Sequence, residues 1–396
     1  MPFAKRHLPG LSRRDLLRLG ALAGSGMAGA ALSAACASKN GNSETGRPTS
    51  PAPPEELGQF DPSLPSGPPT GLPRRAAWAS TAAAEFFLAL GAGVEAASRE
   101  RGLQYLTAFS GDDPTKNLRQ LETFLARGVG ALAFQPLNAV IQRPILDAAL
   151  RQGVCVQGII TQPSTLQVAA NQYDIGFTQG KAAADFATAR LQGNAKVHYF
   201  NLDSASPQLQ LRHAGVLDGL RSAGSGLSVV SDVDAPDIST ANGAAIMSTV
   251  IAEQPDIRII LGGDTLVVGA YRALDQSRKL ADDMYFSGVD GDKEALALVK
   301  NGGPYRASIA FPWHLMGYGL GQFAADWIEG KQIPRVIVAK PIVLDSPGSV
   351  DTYIADNANP AAVFADRTRY ERYLPLLGNV SYATREIVWH EEYVPR

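Results

Sequence analysis

Aromatic and hydrogen-bonding side chains recur in this sequence where short apolar runs end. Ser80 closes one such run, Phe86 and Phe87 follow it, and Gln135 closes another. Aromatic faces pack against apolar C–H surfaces, whereas carboxylate, amide and hydroxyl groups hydrogen-bond to hydroxylated molecules. These residue types suit the non-covalent capture of a small polar molecule. The same pattern recurs later at Asp264, Asp290 and Phe311.

Asp290 is the strongest of these candidates, because it follows an apolar run and stands beside Gly291. An exposed aspartate in a glycine-flanked loop has little structural reason to be there. The other positions admit structural alternatives. The pair Phe86 and Phe87 is also compatible with the core of a helix, and Asp264 is equally compatible with a helix cap.

Motifs for catalysis and metal binding do not occur in the sequence. Neither a G-x-S-x-G elbow nor a P-loop is present, and the histidines stand apart from one another. Gly91 and Gly93 lack the context of a dinucleotide site, so we predict that they allow close helix packing. We therefore expect a protein without catalytic residues, metal or cofactor, although an exported enzyme remains an alternative.

The candidate residues must be positioned by strands that alternate with helices. From about residue 75, short apolar runs alternate with helical patterns, and after a break near 161–173 the series starts again. Such alternation indicates parallel sheets with crossover helices. We predict an α/β fold of two similar doubly wound parallel-sheet lobes joined by a multi-strand hinge. The predicted segments are 74–172 plus about 312–340, then 173–311 plus about 341–353, and an extension, 354–396, that packs on a lobe.

The first 35 residues are typical of an export signal. Arg13 and Arg14 precede a short, glycine-rich apolar run that ends in small residues before Cys36. The arginine pair indicates the twin-arginine route, and Cys36 is placed for lipidation. An ordinary cleaved signal, in which Cys36 is incidental, is the alternative. Residues 36–73 are rich in proline, glycine and serine, so we expect a flexible tether.

Charge argues against nucleic acid as a partner. Five basic residues against Asp15 give the signal +4, so the chain's net charge of −2 becomes −6 for the remainder. An acidic body does not attract a phosphate backbone. Lipidation of Cys36 would also leave Cys155 without a disulfide partner.

Several segments occur in an order and spacing typical of a known family. They are Ser80-Thr81 with Phe86-Phe87, 113–117, 128–132, 263–270, 287–291 and 330–334. These segments resemble the ribose- and galactose-type periplasmic binding proteins, the sugar-receiving components of ABC importers. The resemblance covers about residues 75–353. It implies a sugar or sugar-like ligand, an ABC permease as membrane partner, a monomer, and a location in the periplasm or on the outer face of the cytoplasmic membrane. A lacI-type regulator shares the fold but would begin with a helix-turn-helix, and a sensor that presents ligand to a membrane receptor stays open.

The departures from this family are concentrated at its ligand contacts. Carrying the family's contacts over adds Thr161 and Gln210 to the candidate site, but neither is the charged group usual there. Since pyranose sites depend on charged, bidentate groups, the replacements imply a less polar or differently shaped ligand. The replacements are Ala84 for Asn, Ile160-Thr161 for Asp-Arg, Gln210 for Arg, Gly263 for Asn and Phe311 for Gln.

Replacing Cys36 tests the anchor. If a diacylglyceryl group on Cys36 is the main membrane attachment, Cys36→Ser will move the protein from the membrane fraction to the soluble fraction. Fractionation followed by immunoblotting measures this, with Cys155→Ser as the control. Unchanged partitioning of Cys36→Ser would leave an ordinary secreted protein.

Overall fold

The computed structural model describes residues 71–378, apart from 82–83, 136, 160–163, 206, 223 and 225. The predicted signal, most of the tether, Cys36 and Thr161 therefore lie outside the described residues, as do residues 379–396. Within the described part, no helix is long and apolar enough to cross a membrane.

The first lobe is built on a seven-stranded sheet in the order β13-β11-β5-β4-β3-β1-β2. Neighbouring strands are parallel except for the β11–β13 pair, which is antiparallel. The strands are β1 (Arg75–Ser80), β2 (Gln104–Phe109), β3 (Ala131–Phe134), β4 (Cys155–Ile159), β5 (Leu166–Ala169), β11 (Val336–Val338) and β13 (Leu376–Gly378). The helices are α1 (Glu85–Glu100), α2 (Pro114–Ala126), α3 (Ala139–Arg151) and α9 (Trp313–Ile328).

The second lobe repeats this plan on a six-stranded sheet in the order β12-β10-β9-β8-β6-β7. Its edge strand β12 is antiparallel to β10. The strands are β6 (Ala195–Asn201), β7 (Leu227–Asp234), β8 (Ile257–Leu261), β9 (Tyr285–Asp290), β10 (Tyr305–Ala310) and β12 (Ile342–Leu344). The helices are α4 (Gln172–Arg190), α5 (Pro207–Arg221), α6 (Thr240–Glu253), α7 (Asp264–Gln276) and α8 (Lys293–Asn301).

Three short crossings between the two sheets form the hinge, and a longer passage through the C-terminal helices later returns the chain from β12 to β13. One crossing follows β5, the second lies at Phe311 and Pro312, and the third is the segment 339–341. The predicted two-lobed α/β fold with a multi-strand hinge is thus confirmed. One local detail was wrong, because β5 lies inside the stretch 161–173 that we expected to be a break.

Helices α1 and α9 pack with their backbones almost in contact. A Cβ atom at Gly93 would overlap the backbone of His314, and one at Gly317 would overlap the carbonyl of Leu90. The prediction that Gly93 serves close helix packing is therefore confirmed. This packing joins a helix from the start of the chain to one that follows the second hinge crossing, and so fixes the α9 N-terminus beside the cleft.

After the third crossing, the chain forms α10 (Pro347–Ala358), α11 (Pro360–Ala365) and α12 (Arg367–Tyr370). Helix α10 contacts α8 of the second lobe and α9 of the first lobe. The Asp356 carboxylate accepts hydrogen bonds from Arg369 at 2.6 Å and from the Tyr373 hydroxyl at 2.5 Å. The backbone amide of Lys340, in the third crossing, donates to the Tyr373 carbonyl at 2.9 Å. This segment is therefore anchored to the hinge itself.

Candidate functional site

The carboxyl ends of the strands in both lobes face a shared cleft. Contacts between the two lobes mark the edges of this cleft. The Trp313 indole, at the start of α9, donates to the Asp290 carbonyl at 3.1 Å. At the edge of the cleft, Lys293 of α8 forms a 3.2 Å ion pair with Glu85 of α1. In parallel α/β proteins, ligands bind beyond the carboxyl ends of the strands, so this cleft is the candidate binding site.

Asp290 ends β9 with an unusual backbone conformation. Its φ is 118°, a region that residues with a side chain rarely adopt. Such strain persists only where the surroundings enforce it, and it often marks a functional position. The side chain is partly exposed, but desolvation raises the pKa of the carboxyl to about 8. The charge of Arg212 opposes this rise in pKa, whereas those of Asp292 and Asp264 add to it.

Asp264 is the support that enforces this conformation. Its carboxylate is fully buried and accepts four hydrogen bonds. The donors are the Ser308 hydroxyl at 2.6 Å, the Tyr305 hydroxyl at 2.7 Å, and the backbone amides of Gly291 at 2.8 Å and Asp292 at 3.0 Å. Burial raises the pKa of Asp264, and the hydrogen bonds oppose the rise.

The position of Asp264 differs from both roles considered for it. It does not face the cleft as a ligand contact would, and it is not the N-cap, because that residue is Gly263. It lies beneath the turn after β9, where a Cβ atom at residue 288 would overlap its carboxylate. The sequence signal for this role is Gly288, which leaves room for the Asp264 carboxylate. This signal can be used only once the ends of β8 and β9 are known to be neighbours.

Four aromatic residues form a cluster whose side chains range from partly exposed at the cleft to buried in the core. The Phe86 ring lies 4.0 Å from Phe87 and 5.2 Å from Trp313, and Trp313 lies 5.3 Å from Phe311, measured between centroids. Phe87 is 8% exposed and Phe311 is 1% exposed, so their rings belong to the core. Phe86 and Trp313 are partly exposed and remain available to a ligand.

Ser80 and Gln135 stand at the ends of neighbouring strands, because β1 and β3 pair at Ala79 and Phe134. Ser80 is 6% exposed. The side-chain oxygen of Gln135 is buried and has no hydrogen-bond partner among the described residues. A buried acceptor without a partner carries a free-energy cost that a ligand donor would remove. Gln135 thus carries an acceptor, at the end of β3, that the described residues leave without a donor.

Gln210 and Arg212 lie on different sides of α5, because two residues turn a helix through about 200°. Gln210 is exposed and donates to the Asp203 carbonyl at 3.1 Å, in the loop that follows β6. Arg212 is partly buried, donates to the Gln172 side chain at 2.7 and 2.9 Å, and acts on the pKa of Asp290. Arg212 was not among the predicted site residues, because the resemblance to the family indicated position 210.

The architecture and cleft are those of two-lobed binding proteins, and the comparisons identify the family. Residues 77–332 match the family described as "periplasmic binding protein domain", so the chain belongs to that family. It is also similar to the ribose import binding protein RbsB of Bacillus subtilis. The two sequences are 26% identical over 269 residues, which is 66% of this chain and 83% of that protein.

Solved structures share the fold. A solute-binding protein of Bacillus halodurans with bound myo-inositol is 18% identical, with a TM-score of 0.63 over 72% of this chain and 99% of that one. The 5-methylthioribose transporter solute-binding protein of Thermotoga lettingae is 20% identical, with a TM-score of 0.61 over 83% of this chain and 98% of that one.

Truncating Asp264 tests its supporting role. Asp264→Ala leaves buried donors of Tyr305 and Ser308 without their acceptor, so we expect the free energy of unfolding to fall by about 2–4 kcal/mol. Chemical denaturation followed by circular dichroism measures this change. The exposed Asp237→Ala is the control and should be within about 0.5 kcal/mol of wild type. Equal stability of the two variants would show that Asp264 does not hold the turn.

Proposed function

We propose that this protein is the extracytoplasmic substrate-binding component of an ABC importer, which captures a sugar or sugar-like molecule between its lobes. The observation that carries this proposal is the cavity at the strand ends, where the Asp290 carboxylate lies with the partly exposed rings of Phe86 and Trp313 and has no protein donor. An acceptor-rich site with aromatic walls suits a molecule that carries hydroxyl groups on an apolar ring.

The names of similar proteins support this ligand class. The Bacillus subtilis relative is named for ribose import, and the two solved structures hold myo-inositol and 5-methylthioribose. Each of these molecules carries several hydroxyl groups. Transport would require a permease in the membrane as partner. We propose that the protein acts as a monomer and that a lipid on Cys36 keeps it beside the permease, on the outer face of the cytoplasmic membrane.

Asp290 is the residue to which we assign the main polar contact. Its carboxylate would accept hydrogen bonds from ligand hydroxyls, and Phe86 with Trp313 would cover an apolar face of the ligand. Arg212 favours the charged carboxylate and so supports this role. Because Phe311 and Phe87 are buried, their contribution would be to hold Trp313 and Phe86 in place.

Capture would proceed by closure of the two lobes about the three crossings. Each lobe has its own sheet and helices, so the lobes can move as near-rigid bodies. The Glu85–Lys293 pair joins the lobes beside the cleft, where closure would bring them together. The ligand would then be held by groups from both lobes and shielded from solvent.

Solution scattering tests this mechanism. A thermal-shift screen of pentoses, hexoses and inositols first finds the molecule that stabilises the protein most. At saturation with that molecule, we expect a smaller radius of gyration than in the free protein. Identical scattering profiles would contradict closure, and the absence of any stabilising sugar or polyol would contradict the proposed ligand class.

Replacing Asp290 tests the main contact. Closure would bury Asp290 against the ligand, and loss of a buried, charged hydrogen-bonding partner typically costs about 2–5 kcal/mol. Asp290→Ala should therefore weaken binding of the same molecule by roughly 30-fold or more when measured above pH 8, where the carboxyl is charged. Calorimetry measures the affinity, and a thermal melt of the free variant should stay close to wild type. Near-normal affinity would show that the polar contact lies elsewhere in the cleft.

A further inference from the structure

The cavity that holds Asp290, Phe86 and Trp313 extends past these residues along apolar side chains that the sugar-binding role does not explain. The whole cavity has a volume of about 780 Å³, within the usual range for small-molecule sites, and its apolar extension is called the side pocket here. Helices α1 and α9 of the first lobe, α8 of the second lobe and α10 of the C-terminal segment form its walls. The residues that the argument uses are Leu88, Ala89, Ala297, Trp313, Tyr353 and Ile354.

The walls of the side pocket are mainly apolar and partly open to solvent. Leu88 is 59% exposed and Ile354 is 46% exposed, which places both among the large hydrophobic side chains that the described residues leave exposed. They lie on helices from different parts of the chain, yet they line one cavity. Exposed apolar side chains that converge in a concave site mark a binding surface more often than scattered ones do.

The charged groups around the side pocket already have partners within the protein. Lys293 pairs with Glu85, Lys300 pairs with Asp351 at 2.5 Å, and Asp292 accepts from the Thr265 hydroxyl at 2.7 Å. The Asp290 carboxylate also lines the cavity. Among the described residues, no protein side chain or backbone amide donates a hydrogen bond to it. The side pocket therefore offers one polar group at one end and apolar walls beyond it.

We infer that the ligand of this protein carries an apolar substituent, which occupies the side pocket while its hydroxyl groups meet Asp290. The inference rests on the proposed function and narrows its ligand class to sugars or polyols with an alkyl, thioalkyl or aryl group. Trp313 lies where the two parts of such a ligand would join.

The side pocket can be tested without knowing the ligand. Titration with N-phenyl-1-naphthylamine, a neutral probe that fluoresces in apolar sites, should show saturable binding to the full-length protein. Ala89→Trp fills the pocket and should weaken this binding at least about tenfold. Ala297→Trp fills it from the opposite wall and serves if the first variant does not fold. Val140→Trp, at an exposed site outside the pocket, is the matched control and should bind as wild type does.

Paired sugars then test the ligand class. D-ribose is compared with 5-methylthioribose, and D-glucose with phenyl β-D-glucoside, by calorimetry on wild type and Ala89→Trp. We expect the substituted member of at least one pair to bind wild type about tenfold more tightly or better, since it buries additional apolar surface. The filled variant should abolish that advantage.

The outcomes separate the inference from the proposed function. Equal affinities within each pair, or probe binding that survives both filling variants, would overturn the side pocket as a ligand site while leaving sugar capture intact. Probe binding that the filling variants abolish, together with no binding by any sugar or substituted sugar, would instead retain an apolar site and overturn the sugar-like class.

Discussion

The buried carboxylate of Asp264 is the interaction on which the candidate site depends. It gathers donors from β10 and from the turn after β9, and so fixes that turn against the sheet. The strained backbone at Asp290 is tolerable because this turn is held on its far side. Four hydrogen bonds offset much of the desolvation cost of burying the carboxylate. The partly exposed Asp290 carboxylate is thus positioned by a neighbouring carboxylate that is itself buried and fully hydrogen-bonded.

A second constraint comes from the position of Trp313 directly after a hinge crossing. Its indole donates to the Asp290 carbonyl, while its ring contacts Phe86 on α1 and Phe311 in the crossing. One side chain therefore contacts both lobes and the hinge. Since α9 is held against α1 by the glycine contacts, Trp313 moves with the first lobe. Closure of the lobes would directly change the distance between the Trp313 indole and the Asp290 carbonyl.

Much of the fold could be predicted from the sequence, because alternating strand and helix patterns leave few ways to arrange a parallel sheet. The functions of single residues were less accessible. Phe86 and Phe311 look alike in sequence, yet one is exposed at the cleft and the other is buried by packing against Trp313. Asp264 looks like a cap until its partners on β10, more than 40 residues later, are seen. Arg212 was not predicted, because its charge effect on Asp290 depends on the orientation of α5 and not on residue type.

The short strand β13 has a consequence for the stability of the folded chain in solution. It pairs with β11, itself only three residues long, and occupies the outer edge of the first sheet. An uncovered sheet edge presents free amides and carbonyls that invite pairing with another chain. A chain ending near residue 353 would retain both lobes but leave β11 uncovered. The C-terminal segment thus moves the outer edge of the first sheet to β13, a strand of only three residues that offers few free groups to another chain.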